Sequence, residues 1–110
     1  MTMRYFKTVF LEEARAFMSG LDQKTIRKII YNIEIAEKTN DPKLFKKVQE
    51  HIWEFRVRYG GQQIRLLAFW DKTTTRETYV ITCLGLIKKT GKIPNKEINK
   101  AIKLRANYFS

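Results

Sequence analysis

Two alternating runs of apolar and polar residues meet at Gly60-Gly61, and no other feature limits the possible folds as strongly. The runs cover His51–Tyr59 and Gln62–Trp70. Their period of two, broken by a Gly-Gly pair, predicts a β-hairpin with a two-residue turn. If the glycines are the turn, Tyr59 pairs with Gln62, Val57 with Ile64, Arg56 with Arg65 and Phe55 with Leu66. Trp53, Phe55, Val57, Ile64, Leu66 and Ala68 then share one face and form the core. Glu54, Arg56, Arg58, Gln63 and Arg65 share the other with Ile52, Leu67 and Phe69. Like charges directly opposite each other cost ~0.2–1 kcal/mol. Two guanidiniums held side by side therefore point to a bound anion, and their fork matches phosphate geometry.

The rest of the chain supplies layers for this hairpin. Residues 3–9 suit a short strand. Residues 10–19 predict a helix with Phe10, Ala14, Phe17 and Met18 on one side, ended by Gly20. Asp22 is placed as an N-cap for a second helix over 23–39, whose stripe is Ile26, Ile29, Ile30 and Ile33, then Ala36 or Glu37. Asn40-Asp41-Pro42 stops it. Residues 44–49 fit either a last helical turn or a short strand. Glu77 to Leu84 reads as a third hairpin strand. Gly85 to Pro94 reads as a loop, and Pro94 or Asn95 starts a last helix with Ile98, Ala101, Ile102 and Leu104 or Arg105 inward. The order β-α-α-β-β-β-α defines an α+β class, with helices packed on one face of a twisted, mostly antiparallel sheet.

Length and charge narrow the function. The 110 residues make one domain, 1–110, and 44% hydrophobic content suffices for one core. No run of about 18 apolar residues occurs, so no membrane association is expected. The N-terminus lacks the apolar region and cleavage site of a signal peptide. The single cysteine, Cys83, lies in an apolar run and reads as a buried, inert thiol. A reducing, cytoplasmic setting follows. Net charge is +11. Residues 1–45 hold 8 basic and 6 acidic side chains, whereas residues 46–110 hold 14 and 5. A basic second half implies an anionic partner, nucleic acid or an acidic protein segment.

The same half contains Lys46 and Lys47 before the hairpin and Lys88, Lys89 and Lys92 in the loop after the third strand. Each is a weak signal alone, and together they suit a concave positive surface for single-stranded nucleic acid. Phe69, Trp70 and Tyr79 are candidates to stack a base, with the core as the alternative for each. His51 is the only histidine, and parity puts it on the core face with Trp53. No Ser/His triad, Cys/His zinc set or paired carboxylates stand out, and no GxxxxGK[ST] loop occurs. No metal or other cofactor is expected.

Ile52-Trp-Glu-Phe-Arg56, Ile64-Arg-Leu66, Leu84-Gly-Leu-Ile-Lys-Lys-Thr-Gly-Lys-Ile-Pro94 and Glu97-Ile-Asn-Lys-Ala101 resemble, in order and spacing, the phage-derived HigB-like toxins. These belong to the RelE/ParE superfamily of type II toxin–antitoxin systems. The resemblance implies a RelE-like fold and a ribosome-dependent mRNA endoribonuclease. It also implies a cognate antitoxin, often a helix-turn-helix protein from the adjacent gene. Carried over residue by residue, the catalytic set falls on Glu54, Arg56, Arg65, Lys88 and Lys89. Arg56 and Arg65 would hold the scissile phosphate, Lys88 or Lys89 would transfer a proton, and Glu54 would act as base or orient Arg56. Lys46, Lys47, Arg58 and Lys92 would bind RNA. A ParE-like toxin acting on DNA gyrase and an inactive nucleic-acid-binding relic are the alternatives.

Overall fold

The computed structural model describes residues 3–89 and 91–110. Met1, Thr2 and Thr90 lie outside them, so one position of the Lys88–Lys92 motif is not described. The elements are β1 (Lys7–Phe10), α1 (Glu12–Ser19), α2 (Gln23–Thr39), β2 (Phe45–Gln49), β3 (Ile52–Tyr59), β4 (Gln62–Asp71), β5 (Tyr79–Lys88) and α3 (Asn95–Phe109). They form a mixed α+β fold with one five-stranded sheet in the order β1-β5-β4-β3-β2. β1 runs parallel to β5, and every other pairing is antiparallel.

The central hairpin has the register that the alternation predicts, with Arg56 opposite Arg65 and Tyr59 opposite Gln62. Gly60 and Gly61 have φ of 60° and 76°, the left-handed values a tight hairpin turn requires. Asp22 caps α2, its carboxylate accepting from the Thr25 N–H at 2.8 Å.

Three features differ from expectation. The ambiguous segment is a strand, so the order is β-α-α-β-β-β-β-α. The Arg56 N–H donates to Leu44 O at 2.8 Å and ties that segment to β3. Second, β5 does not end at Leu84 but continues through Gly85 to Lys88. Gly85 is not a break. A Cβ built there would lie 2.1 Å from Phe17 Cδ2, so glycine is what lets α1 lie directly on the strand.

Third, the helices do not share one face. Phe45, Phe55, Val57, Ile64, Leu66 and Ala68 pack under α1 and α2, with Met18, Ile29, Ile33 and Ala36. Ile52, Leu67, Phe69, Ile81, Cys83 and Leu84 form a second core, covered by Ala101 and Leu104 of α3. The central strands are apolar on both faces, and a sheet of that kind needs cover on both. Cys83 is the extra residue where the β4–β5 register shifts, since Leu67 pairs with Leu84 but Ala68 with Thr82. Its thiol donates to Leu67 O at 3.4 Å, and burial pushes its pKa up to about 12. It is an inert packing group. Among the described residues, no helix is long and apolar enough to cross a membrane.

Candidate functional site

The α3 side of the hairpin carries Glu54, Arg56 and Arg58 on β3 and Arg65 on β4. Their end of the sheet lies beyond the apolar patch that α3 covers. Arg65 is only 4% exposed and Glu54 only 7%. Glu54 pairs across the strands with Leu67, and Arg65 with Arg56, so Glu54 and Arg65 are diagonal neighbours. Long side chains span that diagonal. Arg65 Nε lies 3.0 Å from Glu54 Oε1, an ion-pair distance. Among the described residues, the Nε–H makes no hydrogen bond, so the contact with Glu54 is ionic. The remaining guanidinium nitrogens are better placed. Nη1 donates to Ile64 O and Nη2 to Gln63 Oε1, each at 3.1 Å. Burial lowers the Arg65 pKa, the Glu54 carboxylate opposes that shift, and Arg56 and Arg58 add to it.

The sequence suggested that Glu54 would act as base or orient Arg56, and its ionic partner is Arg65. Arg56 is half-buried, and its Nε has no acceptor among the described residues. Among the described residues, Arg56 has no ion pair. The Arg56–Arg65 repulsion is thus relieved on one side only. One cation is matched by Glu54, and the other still faces solvent.

Arg56 opens into a cleft of about 640 Å³ between β2, β3, the end of β5 and the start of α3. Glu54, Lys46, Lys47, Lys88 and Lys92 line it with Arg56. Lys46 stands opposite Glu54 on β2, and Lys88 opposite Gln63 on β5. Six of the nine residues singled out from sequence therefore meet at one concavity, with five cations and one carboxylate. Arg58 and Arg65 line a neighbouring cleft along the free part of the β3 edge, which Arg56 also borders. Lys89 is exposed just past β5 and lines neither cleft. Gln49 and Asn95 also line the main cleft and were not foreseen, because uncharged polar side chains leave no pattern in a single sequence.

The proposed base-stackers divide. Phe69 is fully buried in the α3-side core and Tyr79 packs against that core, so Phe69 has no face for a base. Trp70 is half-buried and reaches the surface elsewhere, beside Trp53. His51 does not follow strand parity. It sits in the β2–β3 turn at φ 68°, exposed, outside β3. Among the described residues, no group of three His, Cys, Asp or Glu side chains is placed to hold a metal ion.

The chain is a small basic mixed α+β domain, with a cation-lined cleft at one end of a five-stranded sheet, an architecture consistent with a RelE-like fold. Residues 16–106 match the family described as "Phage derived protein Gp49-like (DUF891)", and the chain belongs to that family. It falls within the RelE-like type II toxins, whose members are often the toxin of a toxin–antitoxin pair. Membership suggests an antitoxin partner and a possible nuclease activity. No curated protein matches the chain.

Proposed function

We propose that this chain is a HigB-like toxin that cuts messenger RNA on the translating ribosome, using side-chain cations and no metal ion. The observation that carries this reading is the gathering of Arg56, Lys46, Lys47, Lys88 and Lys92 around Glu54 in one cleft. RNA cleavage of this kind needs little more. The 2′-hydroxyl oxygen bonds to the adjacent phosphorus, the P–O5′ bond breaks, and a 2′,3′-cyclic phosphate and a 5′-hydroxyl result. One proton leaves the 2′-hydroxyl and one reaches O5′, while charge builds on the phosphoryl oxygens.

Arg56, unpaired and facing the cleft, would hold the scissile phosphate. Arg65, buried opposite it on β4, would share that charge and fix Glu54. Glu54 is already engaged by Arg65, which favours an orienting role over a proton-accepting one. Lys88, at the cleft wall, is better placed than Lys89 for proton transfer. Lys46, Lys47, Arg58 and Lys92 would bind flanking RNA, messenger or ribosomal. The antitoxin, an acidic or helix-turn-helix protein from the adjacent gene, would mask this surface. The site of action would be cytoplasmic.

Induction of the chain without its neighbouring gene tests this. Primer extension on translated messages is run beside a gyrase supercoiling assay. Discrete cuts within open reading frames with normal supercoiling support the reading. Intact messages with altered supercoiling would assign the chain to the ParE-like alternative, and continued growth with neither effect would make it an inactive relic.

A further inference from the structure

A second cleft, of about 650 Å³, lies at the opposite end of β3 and contains both tryptophans of the chain, Trp53 and Trp70. Lys47, Lys72, Arg105 and His51 line it with them. The two indoles meet edge to face with centroids 5.6 Å apart, and both are half-buried at the cleft wall. Trp53 is braced from behind by Phe45, stacked at 5.0 Å, so its orientation is fixed. Lys72 Nζ lies 4.9 Å from the Trp70 ring centroid. The one carboxylate in the lining, Glu50, sits 3.4 Å from His51 Nε2 and does not reach the lysines as an ion-pair partner.

Two features set this cleft apart from an ordinary core margin. Among the described residues, three cations without an ion-pair partner converge beside two half-buried indoles. His51 is also held in a left-handed conformation that costs a non-glycine residue of order 1 kcal/mol, and strain of that kind persists where the position is over-determined. Rigid aromatic faces inside a positive rim are what an unpaired nucleobase and its phosphate require. The two clefts share one wall residue, Lys47, which lies on the edge strand β2 beside the register shift between Lys47 and Gln49.

We propose that the Trp53–Trp70 cleft is a nucleotide subsite, which stacks one unpaired base of single-stranded RNA and leads the strand across β2 into the Arg56 cleft. Lys72, Arg105 and Lys47 hold its phosphates. This rests on the reading of the Arg56 cleft as an RNA site.

Trp53 and Trp70 are the only tryptophans, so tryptophan emission, excited selectively over the five tyrosines, reports on this cleft. The purified chain is titrated with a 2′-O-methyl RNA of about six nucleotides, within the usual site size of single-strand binders and uncleavable by 2′-hydroxyl attack. Saturable quenching is expected with this oligonucleotide, and none with the same sequence as a duplex or with inorganic phosphate. Lys72→Glu, an exposed change outside the Arg56 cleft, should weaken binding about fivefold and make it less salt-dependent. Trp53→Ala should weaken it roughly tenfold, the lower part of the range for one lost stacking contact. Equal quenching by duplex, or affinity unchanged in Lys72→Glu, would overturn the subsite. Message cleavage without any quenching overturns the subsite and leaves the nuclease reading standing. Quenching without cleavage does the reverse.

Discussion

Removing one member of the Glu54–Arg65 pair should destabilise the protein more than removing both. At 3.0 Å and an effective dielectric near 20, the attraction is about 5–6 kcal/mol. Most of that offsets the cost of taking two charges out of water. Deleting one partner leaves a buried, unmatched charge, typically about 3–5 kcal/mol. The cleft wall brings water near the Arg65 guanidinium, so the lower end applies, about 3 kcal/mol for Glu54→Leu. In that variant Arg65 would face Arg56 with no carboxylate between them. A domain of this size has only about 5–15 kcal/mol in all, so the loss is large. Glu54→Leu with Arg65→Met puts apolar volume in place of both charges and should cost less than about 1 kcal/mol. Urea unfolding of the two single variants and the double variant, followed by tryptophan fluorescence, measures all three. A Glu54→Leu protein within about 1 kcal/mol of the parent, or a double variant as weak as the singles, would refute the buried pair.

Gly85→Ala forces a Cβ into the Phe17 ring and should lower stability by about 1–3 kcal/mol, with α1 the first element to lose protection in hydrogen exchange. The end of α3 is anchored by the Tyr108 hydroxyl, which donates to Asp71 Oδ2 at 2.7 Å, and Tyr108→Phe should cost about 1 kcal/mol. Thr73, first through its hydroxyl, and Tyr108 hold the Asp71 carboxyl below its usual pKa. Its contribution is therefore complete above the unfolded value of about 3.9 and is lost as pH falls through the lower folded value. The stability gap between Tyr108→Phe and parent should close in that acid window, and a gap independent of pH would count against the anchor.

The hairpin was legible because two local signals agreed, strand alternation and a Gly-Gly turn. The α2 limits were legible for the same kind of reason, since Asp22 and Asn40-Asp41-Pro42 bracket a 3.6-residue stripe. The end of β5 was not, because Gly85 looks like a break until Phe17, 68 positions away in the sequence, is seen to lie on it. The position of α3 was half-legible. Ile52, Leu67 and Phe69 already made the second face of the hairpin apolar, which calls for a cover. In the site, register placed Arg56 beside Arg65, but only side-chain reach along the diagonal decides that Glu54 serves Arg65. His51 was misjudged because strand parity was carried past the start of β3, into a turn with positive φ, whereas Trp53 packs on the core face that parity gave it.

Arg65→Ala is a poor probe of function, since it also strands Glu54. Arg56 is the clean one. It lines the cleft, and among the described residues it has no ion pair to lose. The most direct measurement is cleavage of a defined message on purified translating ribosomes, with 5′ ends mapped, for the parent and for Arg56→Ala. The parent should cut. Arg56→Ala should cut at least about 100-fold more slowly, the usual loss for one group stabilising transition-state charge, with an unchanged urea midpoint. A folded Arg56→Ala protein that cuts as fast as the parent would contradict a phosphate-holding role for this cleft.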